Sequence, residues 1–129
     1  MTTTSTECAA LVSLSAVAEA RRAARAFLGS LDPSVDAEHA DSVVLVVSEL
    51  VTNALRHGGG TYRLHLAAHP GTIEVAVDDS SPRMPRPRIP DLVHGTGGFG
   101  WHMVNDLARA TAVTPRPEGG KTVRALLPR

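Results

Sequence analysis

Three glycines in this sequence have a spacing that suits contact with a phosphate group. Gly95, Gly97 and Gly100 form a G-x-G-x-x-G pattern within the segment HGTGGFGWHMVNDLARA, residues 94–110. The segment continues directly into an amphipathic pattern with the period of a helix. Glycines at this spacing let the backbone approach a phosphate at the N-terminus of the helix that follows. The pattern therefore predicts a phosphate-bearing ligand, and the surrounding elements must decide which one.

Two known phosphate-binding motifs can be excluded, because the sequence around each match lacks the elements that the motif requires. A dinucleotide site needs a strand directly before the glycines and an acidic residue about 20 positions later, at the end of a second strand. Here a loop rich in proline and arginine precedes the glycines, and the acid downstream is Glu118, in a turn. Gly120-Lys121-Thr122 imitates the end of a P-loop, but Pro115 occupies the place of its first glycine and no helix follows.

A second candidate set lies on a predicted helix. Glu49, Asn53 and His57 are spaced i, i+4 and i+8, so they form one polar stripe. A stripe of this kind is most often a solvated helix face. Leu45 and Val46 interrupt the polar side of this helix, however, which indicates that the face is partly covered.

Asp79 is the third candidate, because the alternation of the strand predicted over 72–79 places it on the apolar face and places Asp78 on the other. A carboxylate that faces a core needs a partner. One possibility is an Asx-type turn with Ser80 or Ser81. The other is an N–H group of a ligand, such as an exocyclic amine.

Periodicity and turn residues predict the elements that position these residues. Gly58-Gly59-Gly60 ends the long helix, and Pro70-Gly71 turns between the first two strands. The predicted helices cover about 15–29, 38–57 and 98–110; the predicted strands cover 61–68, 72–79, 111–116 and 121–127, with a loop over 80–97.

Composition limits the class of protein. A chain of 129 residues with 43% hydrophobic content suits one compact domain. Residues 1–81 contain 5 Arg against 10 Asp and Glu, whereas residues 82–129 contain 8 Lys and Arg against 3 acids, so the basic end suits a polyanion or is simply solvated. Cys8 has no other cysteine to pair with, and no apolar run approaches the roughly 18 residues that span a membrane. We expect a cytoplasmic protein.

Four segments taken together resemble the GHKL superfamily of ATP-binding domains: SELVTNALRHGGG, VAVDDSSPRMP, GGFGWHMVNDLA and GGKTVRALLP. The chain is most similar to the small anti-sigma-factor serine kinases and to related ATP-binding regulators of filamentous actinobacteria. The resemblance runs from about Leu14 to Pro128, and E-L-V-T-N-A-x-R-H is its most specific part. It implies an α/β two-layer sandwich of the Bergerat type, with a mixed, mostly antiparallel sheet and helices on one face. Residues 1–129 would form one domain, with 1–10 disordered and 80–97 as an ATP lid.

The resemblance also implies roles for single residues. Asn53 would ligate Mg²⁺ that bridges the phosphates, Glu49 would be the general base, and Asp79 would accept the adenine amino group. Thr122 would support the adenine through a hydrogen bond or a water molecule. The remaining nucleotide-binding positions would be His57, Gly95, Gly97, Gly98 and Gly100, with the glycines closing over the triphosphate.

The sequence departs from the family pattern at several positions. Ser81 and Arg83 stand where many relatives have glycine in the adenine motif, which bears on lid geometry and turnover. Phe99 and Trp101 replace an arginine or small residue and a leucine. Trp101 is interpreted either as a core residue or as part of the nucleotide pocket.

His65 and His69 are interpreted as surface residues. On one strand they would lie four residues, about 13 Å, apart, which is too far to share a metal ion.

Three hypotheses for function follow from the resemblance. The first is an Mg-ATP-dependent serine/threonine kinase and anti-sigma regulator that phosphorylates a small anti-anti-sigma (STAS-type) partner and binds a sigma factor. The second is a module in which ATP sets partner affinity without turnover. The third is the catalytic domain of a former histidine kinase. Family analogy also implies a homodimer, and no direct contact with nucleic acid or membrane is expected.

Overall fold

A computed structural model describes residues 2–8, 14–57, 60–81 and 100–129, with side chains from Ala16 onward. The described elements, in chain order, are β1 (Thr2–Cys8), α1 (Leu14–Gly29), α2 (Ala37–His57), β2 (Tyr62–His69), β3 (Thr72–Asp79), α3 (Gly100–Leu107), β4 (Ala110–Pro115) and β5 (Lys121–Pro128).

The five strands form one sheet in the order β1-β2-β3-β5-β4. The helices α1 and α2 pack together, α2 lies against β3 and β5, and α3 packs on α2 and β5. This confirms the two-layer α/β sandwich. The sheet was expected to be mixed but mostly antiparallel, and each neighbouring pair of the described strands is antiparallel. Short turns at Pro70-Gly71 and at 116–120 join neighbouring strands directly, and such turns can connect only antiparallel strands.

The first strand was not predicted from the sequence, where residues 1–10 were expected to be disordered. In the structure β1 pairs with β2, from Thr2 opposite Ala68 to Cys8 opposite Tyr62. Its sequence, TTTSTEC, lacks the apolar alternation that identified the other strands. Threonine nevertheless favours strands, and β2 offers an edge of backbone groups to pair with.

The third helix is shorter than the predicted range of 98–110. The amide of Ala108 still bonds to the carbonyl of Val104 at 2.9 Å, but the amide of Arg109 bonds to the carbonyl of Leu126 on β5 at 2.7 Å. The chain therefore leaves the helix at Leu107 and joins the sheet. Tertiary pairing of this kind overrides local helical periodicity.

The second helix forms the centre of the core. Its N-terminus is capped by Asp36, whose Oδ1 accepts a hydrogen bond from the His39 amide at 2.9 Å. This backbone bond, together with the His39 ring, lowers the pKa of Asp36 below its ordinary value. The buried residues of α2 are Val43, Val44, Val46, Val47, Leu50, Val51, Ala54 and Leu55. Each fully buried valine or leucine contributes about 1.5–3 kcal/mol through the hydrophobic effect.

The strands bury alternate residues against this helix, in the same inward and outward pattern along β2 and β5. Their inward side chains belong to one core cluster with α1 and α2, and include Leu64, Leu66, Ile73, Val75, Val77, Val123, Ala125 and Leu127. The same alternation directs the last residue of β3 and the first residue of β5 towards the helical layer. None of the helices in the described ranges combines the length and apolar character needed to cross a membrane.

Candidate functional site

The polar stripe of α2 lies on a partly covered face. Glu49 and Asn53 are half-buried, and His57, the last residue of the helix, is exposed. Next to them Val46 is fully buried and Leu45 is half-exposed. The burial at Glu49 and Asn53 distinguishes this stripe from a fully solvated face.

The start of α3 lies directly against Glu49. Gly100 is buried, and a Cβ atom built on it would overlap Oε2 of Glu49 and lie 3.1 Å from its Cδ. A larger residue at this position would therefore displace the Glu49 carboxylate. The first backbone N–H groups of a helix have no partner within the helix, and they carry its positive dipole end. The structure thus brings together a carboxylate from α2 and the N-terminus of α3.

Asp79 is buried at the end of β3, with 4% of its side chain exposed. Its Oδ1 accepts a hydrogen bond from the Ser81 amide at 2.9 Å, so the predicted Asx-type turn is confirmed. The turn does not exhaust the carboxylate, because an ionised Asp has about four acceptor positions on its two oxygens. An N–H group of a ligand therefore remains a compatible second partner.

The partner of Asp79 from β5 is Lys121, a residue that was not among the site residues predicted from the sequence. The Lys121 Nζ lies 2.9 Å from Oδ2 and 3.1 Å from Oδ1 of Asp79. The two residues are opposite each other in the β3–β5 register. The apolar alternation at 123, 125 and 127 is the signal in the sequence that would have placed residue 121 on the inner face. In the sequence, Lys121 was considered only as part of Gly120-Lys121-Thr122, which imitates the end of a P-loop.

Thr122 lies on the opposite face of the sheet. Its hydroxyl donates a hydrogen bond of 2.5 Å to Oδ1 of Asp78, and Nε2 of His65 lies 3.2 Å from Oδ2 of the same carboxylate. Burial raises the pKa of Asp78, but the Thr122 and His65 hydrogen bonds lower it more, so the pKa lies below its ordinary value of 3.8. The structure therefore does not bring Thr122 to Asp79.

The entry of the chain into β5 is packed tightly on the end of β3. Gly120 has a φ of 81°. A Cβ atom on Gly120 would overlap the carbonyl oxygen of Asp79 and lie 2.9 Å from the Cα of Ser80. Glycine is required at this position both by the backbone conformation and by the close approach.

Several predicted site residues lie outside the described residues: Gly95, Gly97 and Gly98, with Phe99, Arg83 and the rest of the predicted lid from 82 onward. Trp101 is described, and it is partly buried against the core cluster. The histidines of β2 are each paired with a carboxylate, His65 with Asp78 and His69 with Glu74, at 3.2 Å in both cases.

Comparison with known proteins shows a similar fold and identifies the family. The crystal structure of the RsbU and RsbW domains of Rv1364c from Mycobacterium tuberculosis has a similar fold, with a TM-score of 0.67 and 19% sequence identity. The match covers 98% of this chain and 33% of that one, so this chain spans about a third of the other's length. No protein of curated function matches the sequence. A family model described as a histidine kinase-like ATPase domain matches residues 11–126, and the chain therefore belongs to the histidine kinase-like ATPase domain family.

Proposed function

We propose that the chain is an Mg-ATP-dependent serine/threonine kinase of the anti-sigma type, acting in the cytoplasm on a small anti-anti-sigma protein. Family membership implies ATP as the ligand. The observation that carries the kinase assignment is the contact between Glu49 and the start of α3 at Gly100. This contact places a carboxylate that can act as a base beside a helix N-terminus, where phosphate groups bind favourably.

The nucleotide would lie between α2, the end of β3 and the start of α3. Asp79 supplies a buried acceptor for the exocyclic amine of adenine, and the first N–H groups of α3 supply donors for phosphate oxygens. Gly95, Gly97 and Gly98, which precede α3, are proposed to continue this contact along the triphosphate. His57 is proposed to stand at the rim, because it is the exposed last residue of α2.

The residues present suit a magnesium ion that arrives with the nucleotide. The described ranges contain no group of three or more His, Cys, Asp or Glu side chains able to hold a metal by themselves. Mg²⁺ usually takes only one or two protein oxygens and completes its shell with phosphates and water. Asn53, one turn after Glu49, offers such an oxygen through its amide. When bound, the ion would neutralise charge on the phosphates.

The transfer itself needs little covalent chemistry from the protein. A serine or threonine hydroxyl of the partner attacks the γ-phosphorus of ATP. The bond between the γ-phosphorus and the β–γ bridging oxygen breaks, and ADP leaves. Glu49 accepts the hydroxyl proton, and the N–H groups of α3 stabilise negative charge on the phosphate oxygens.

The partner assignment rests on two kinds of support. One is the resemblance of the sequence to anti-sigma-factor kinases; the other is the fold shared with the structure of the RsbU and RsbW domains of Rv1364c. We include a sigma factor, an anti-anti-sigma protein of the STAS type and a second copy of the chain as expected partners.

A second candidate function is an ATP-dependent binding module without turnover. Ser81 stands where many relatives have glycine, and its amide is held in the Asx turn by Asp79 at 2.9 Å. A serine held in this turn has less backbone freedom than the glycine of those relatives. This observation favours a regulator in which the nucleotide sets partner affinity.

Incubation of the pure chain with γ-labelled ATP, Mg²⁺ and its co-purifying partners separates these functions. The kinase proposal predicts label on a serine or threonine of a partner, with far less label when Glu49→Gln replaces the wild type. ATP binding without any phosphoprotein would favour the binding module. Acid-labile phosphohistidine on the chain itself would favour a former histidine kinase.

Gly100→Ala should slow phosphoryl transfer by about 100-fold, because the added methyl group displaces the Glu49 carboxylate and a misplacement of about 1 Å has an effect of this size. Alanine suits a helix better than glycine, so the melting temperature should change little. Single-turnover transfer and thermal unfolding measure the two effects. Gly29→Ala is the matched control, since a Cβ at Gly29 meets no atom within 4 Å; equal rates in the two variants would contradict the proposed role of the contact.

Thr122→Val should lower the free energy of unfolding at pH 7 by about 1–2 kcal/mol, because Asp78 loses a hydrogen bond. The depressed pKa of Asp78 stabilises the fold above the ordinary value of 3.8, and this contribution is lost as the pH falls through the folded-state pKa. Urea unfolding at pH 7 and at a series of pH values below 3.8 should therefore show a difference between the two proteins that is full at pH 7 and shrinks as the pH falls. ATP affinity should stay within about threefold of wild type; a tenfold loss would show that Thr122 supports the adenine.

A further inference from the structure

The buried pair formed by Lys121 and Asp79 is unusual for the inner face of the sheet, where the other buried residues of β2, β3 and β5 belong to the hydrophobic core. Only 7% of the Lys121 side chain and 4% of the Asp79 side chain are exposed. Lys121 is the first inward-facing residue of β5, and the next ones are Val123, Ala125 and Leu127. Burying two charges involves a large desolvation penalty, and an apolar pair of similar volume is often as stable. A buried pair next to a ligand site therefore suggests a role beyond stability.

The contacts of Lys121 hold the Asp79 carboxylate from one side. Its ammonium group contacts both carboxylate oxygens and also donates to the carbonyl of Ser81 at 3.0 Å. Oδ1 additionally accepts the Ser81 amide. The described contacts thus place two donors at Oδ1 and one at Oδ2, so an acceptor position remains on Oδ2.

We propose that Lys121 is a positioning residue for base recognition. It holds Asp79 in one orientation, with the remaining acceptor position of Oδ2 available to the 6-amino group of a purine, and it fixes Ser81 at the start of the segment that leads to α3. This inference rests on the proposed function, in which Asp79 contacts the base. It assigns the selection of a 6-aminopurine to the Asp79–Lys121 pair and not to Asp79 alone.

The 6-amino contact can be isolated by comparing two nucleotides. ATP and purine riboside 5′-triphosphate differ only in the 6-amino group, so the ratio of their dissociation constants reports its hydrogen bond. For the wild-type chain with Mg²⁺ we expect ATP to bind about 10-fold or more tightly, as for a hydrogen bond to a charged acceptor. Calorimetric titration of the full chain measures both constants.

Two variants test the positioning role. Lys121→Met removes all three contacts, so the carboxylate loses its fixed orientation. The ratio of the dissociation constants of purine riboside 5′-triphosphate and ATP should then fall to about threefold or less. The affinity for purine riboside 5′-triphosphate itself should stay within about threefold of wild type. Lys121→Arg keeps the charge, but a guanidinium engages both oxygens of a carboxylate with its planar fork. It therefore occupies the free position of Oδ2 and should also reduce the ratio to about threefold or less.

A cation on the opposite face of β5 supplies the matched control. Arg124 pairs with Glu74, its Nε lying 3.2 Å from Oε2. Arg124→Met should leave the ratio of the dissociation constants of the two nucleotides unchanged. Thermal unfolding shows which variants are folded, and Lys121→Arg, which keeps the ion pair, decides the question if Lys121→Met does not fold.

The outcomes separate this inference from the proposed function. If the wild-type chain binds ATP and purine riboside 5′-triphosphate with a ratio of dissociation constants near one, the proposed contact between Asp79 and the base is contradicted. The proposed placement of the nucleotide is then contradicted as well. A wild-type ratio of about 10 or more that persists in a folded Lys121 variant would overturn the positioning role alone. An equal loss of affinity for both nucleotides would show that Lys121 supports only the fold.

Discussion

Asp79→Asn should weaken the binding of ATP and ADP alike, by about 10- to 150-fold, as expected for the loss of a hydrogen bond to a charged group. The carboxylate is buried at the end of β3, where no bulk water can replace it as an acceptor. The substituted amide also places a donor where the adenine amine needs an acceptor. Because the contact is to the base, the γ-phosphate should make no difference. Calorimetry with both nucleotides measures the effect.

The neighbouring carboxylate supplies a control of identical chemistry. Asp78 lies on the other face of the sheet, bonded to Thr122 and His65. Asp78→Asn should therefore leave nucleotide affinity unchanged, although it removes the same charge from the adjacent position. Equal affinities for ATP in the wild type and in Asp79→Asn would contradict the assignment of Asp79 to the base.

Glu49→Gln should reduce phosphoryl transfer by about 10²–10⁴-fold, the usual contribution of general acid–base catalysis. Glutamine keeps the size of the side chain beside Gly100 and removes its ability to accept a proton. The nucleotide contacts of Asp79 and of the α3 amides remain, so ATP affinity should change little. Single-turnover transfer and calorimetry on the same preparation separate the two effects.

Another glutamate of α2 controls for the loss of charge on this helix. Glu38 lies in the first turn and is exposed. Glu38→Gln should transfer phosphate at the wild-type rate. If Glu49→Gln does so as well, Glu49 is not the base of the transfer.

Local patterns predicted the elements that have their own periodicity. The bounds predicted for α2, β2 and β3 differ from the observed ones by one residue at most, because each has a regular apolar pattern and a turn residue, glycine, proline or serine, follows its end. β1 was missed because it pairs through backbone groups and has no apolar alternation. The end of α3 was misplaced because the Arg109 amide bonds to a distant strand.

The same distinction holds for the site. The inward direction of Asp79 and its turn with Ser81 followed from strand alternation and local turn chemistry. The contact between Glu49 and Gly100 joins positions 51 residues apart, and no local pattern contains it. The pairing of Asp79 with Lys121 depends on the β3–β5 register, which places Thr122 on the opposite face. Family resemblance selected Thr122 without regard to that register.

The placement of the nucleotide is the central claim, and a titration of the full chain with Mg-ATP followed by backbone amide NMR tests it most directly. The account predicts the largest shifts at Gly100 and Trp101 at the start of α3, at Asn53 on α2, and at Asp79, with small shifts at Arg124 on the outer face of the sheet. Shifts concentrated around Arg124, or no shifts at saturating Mg-ATP, would contradict it.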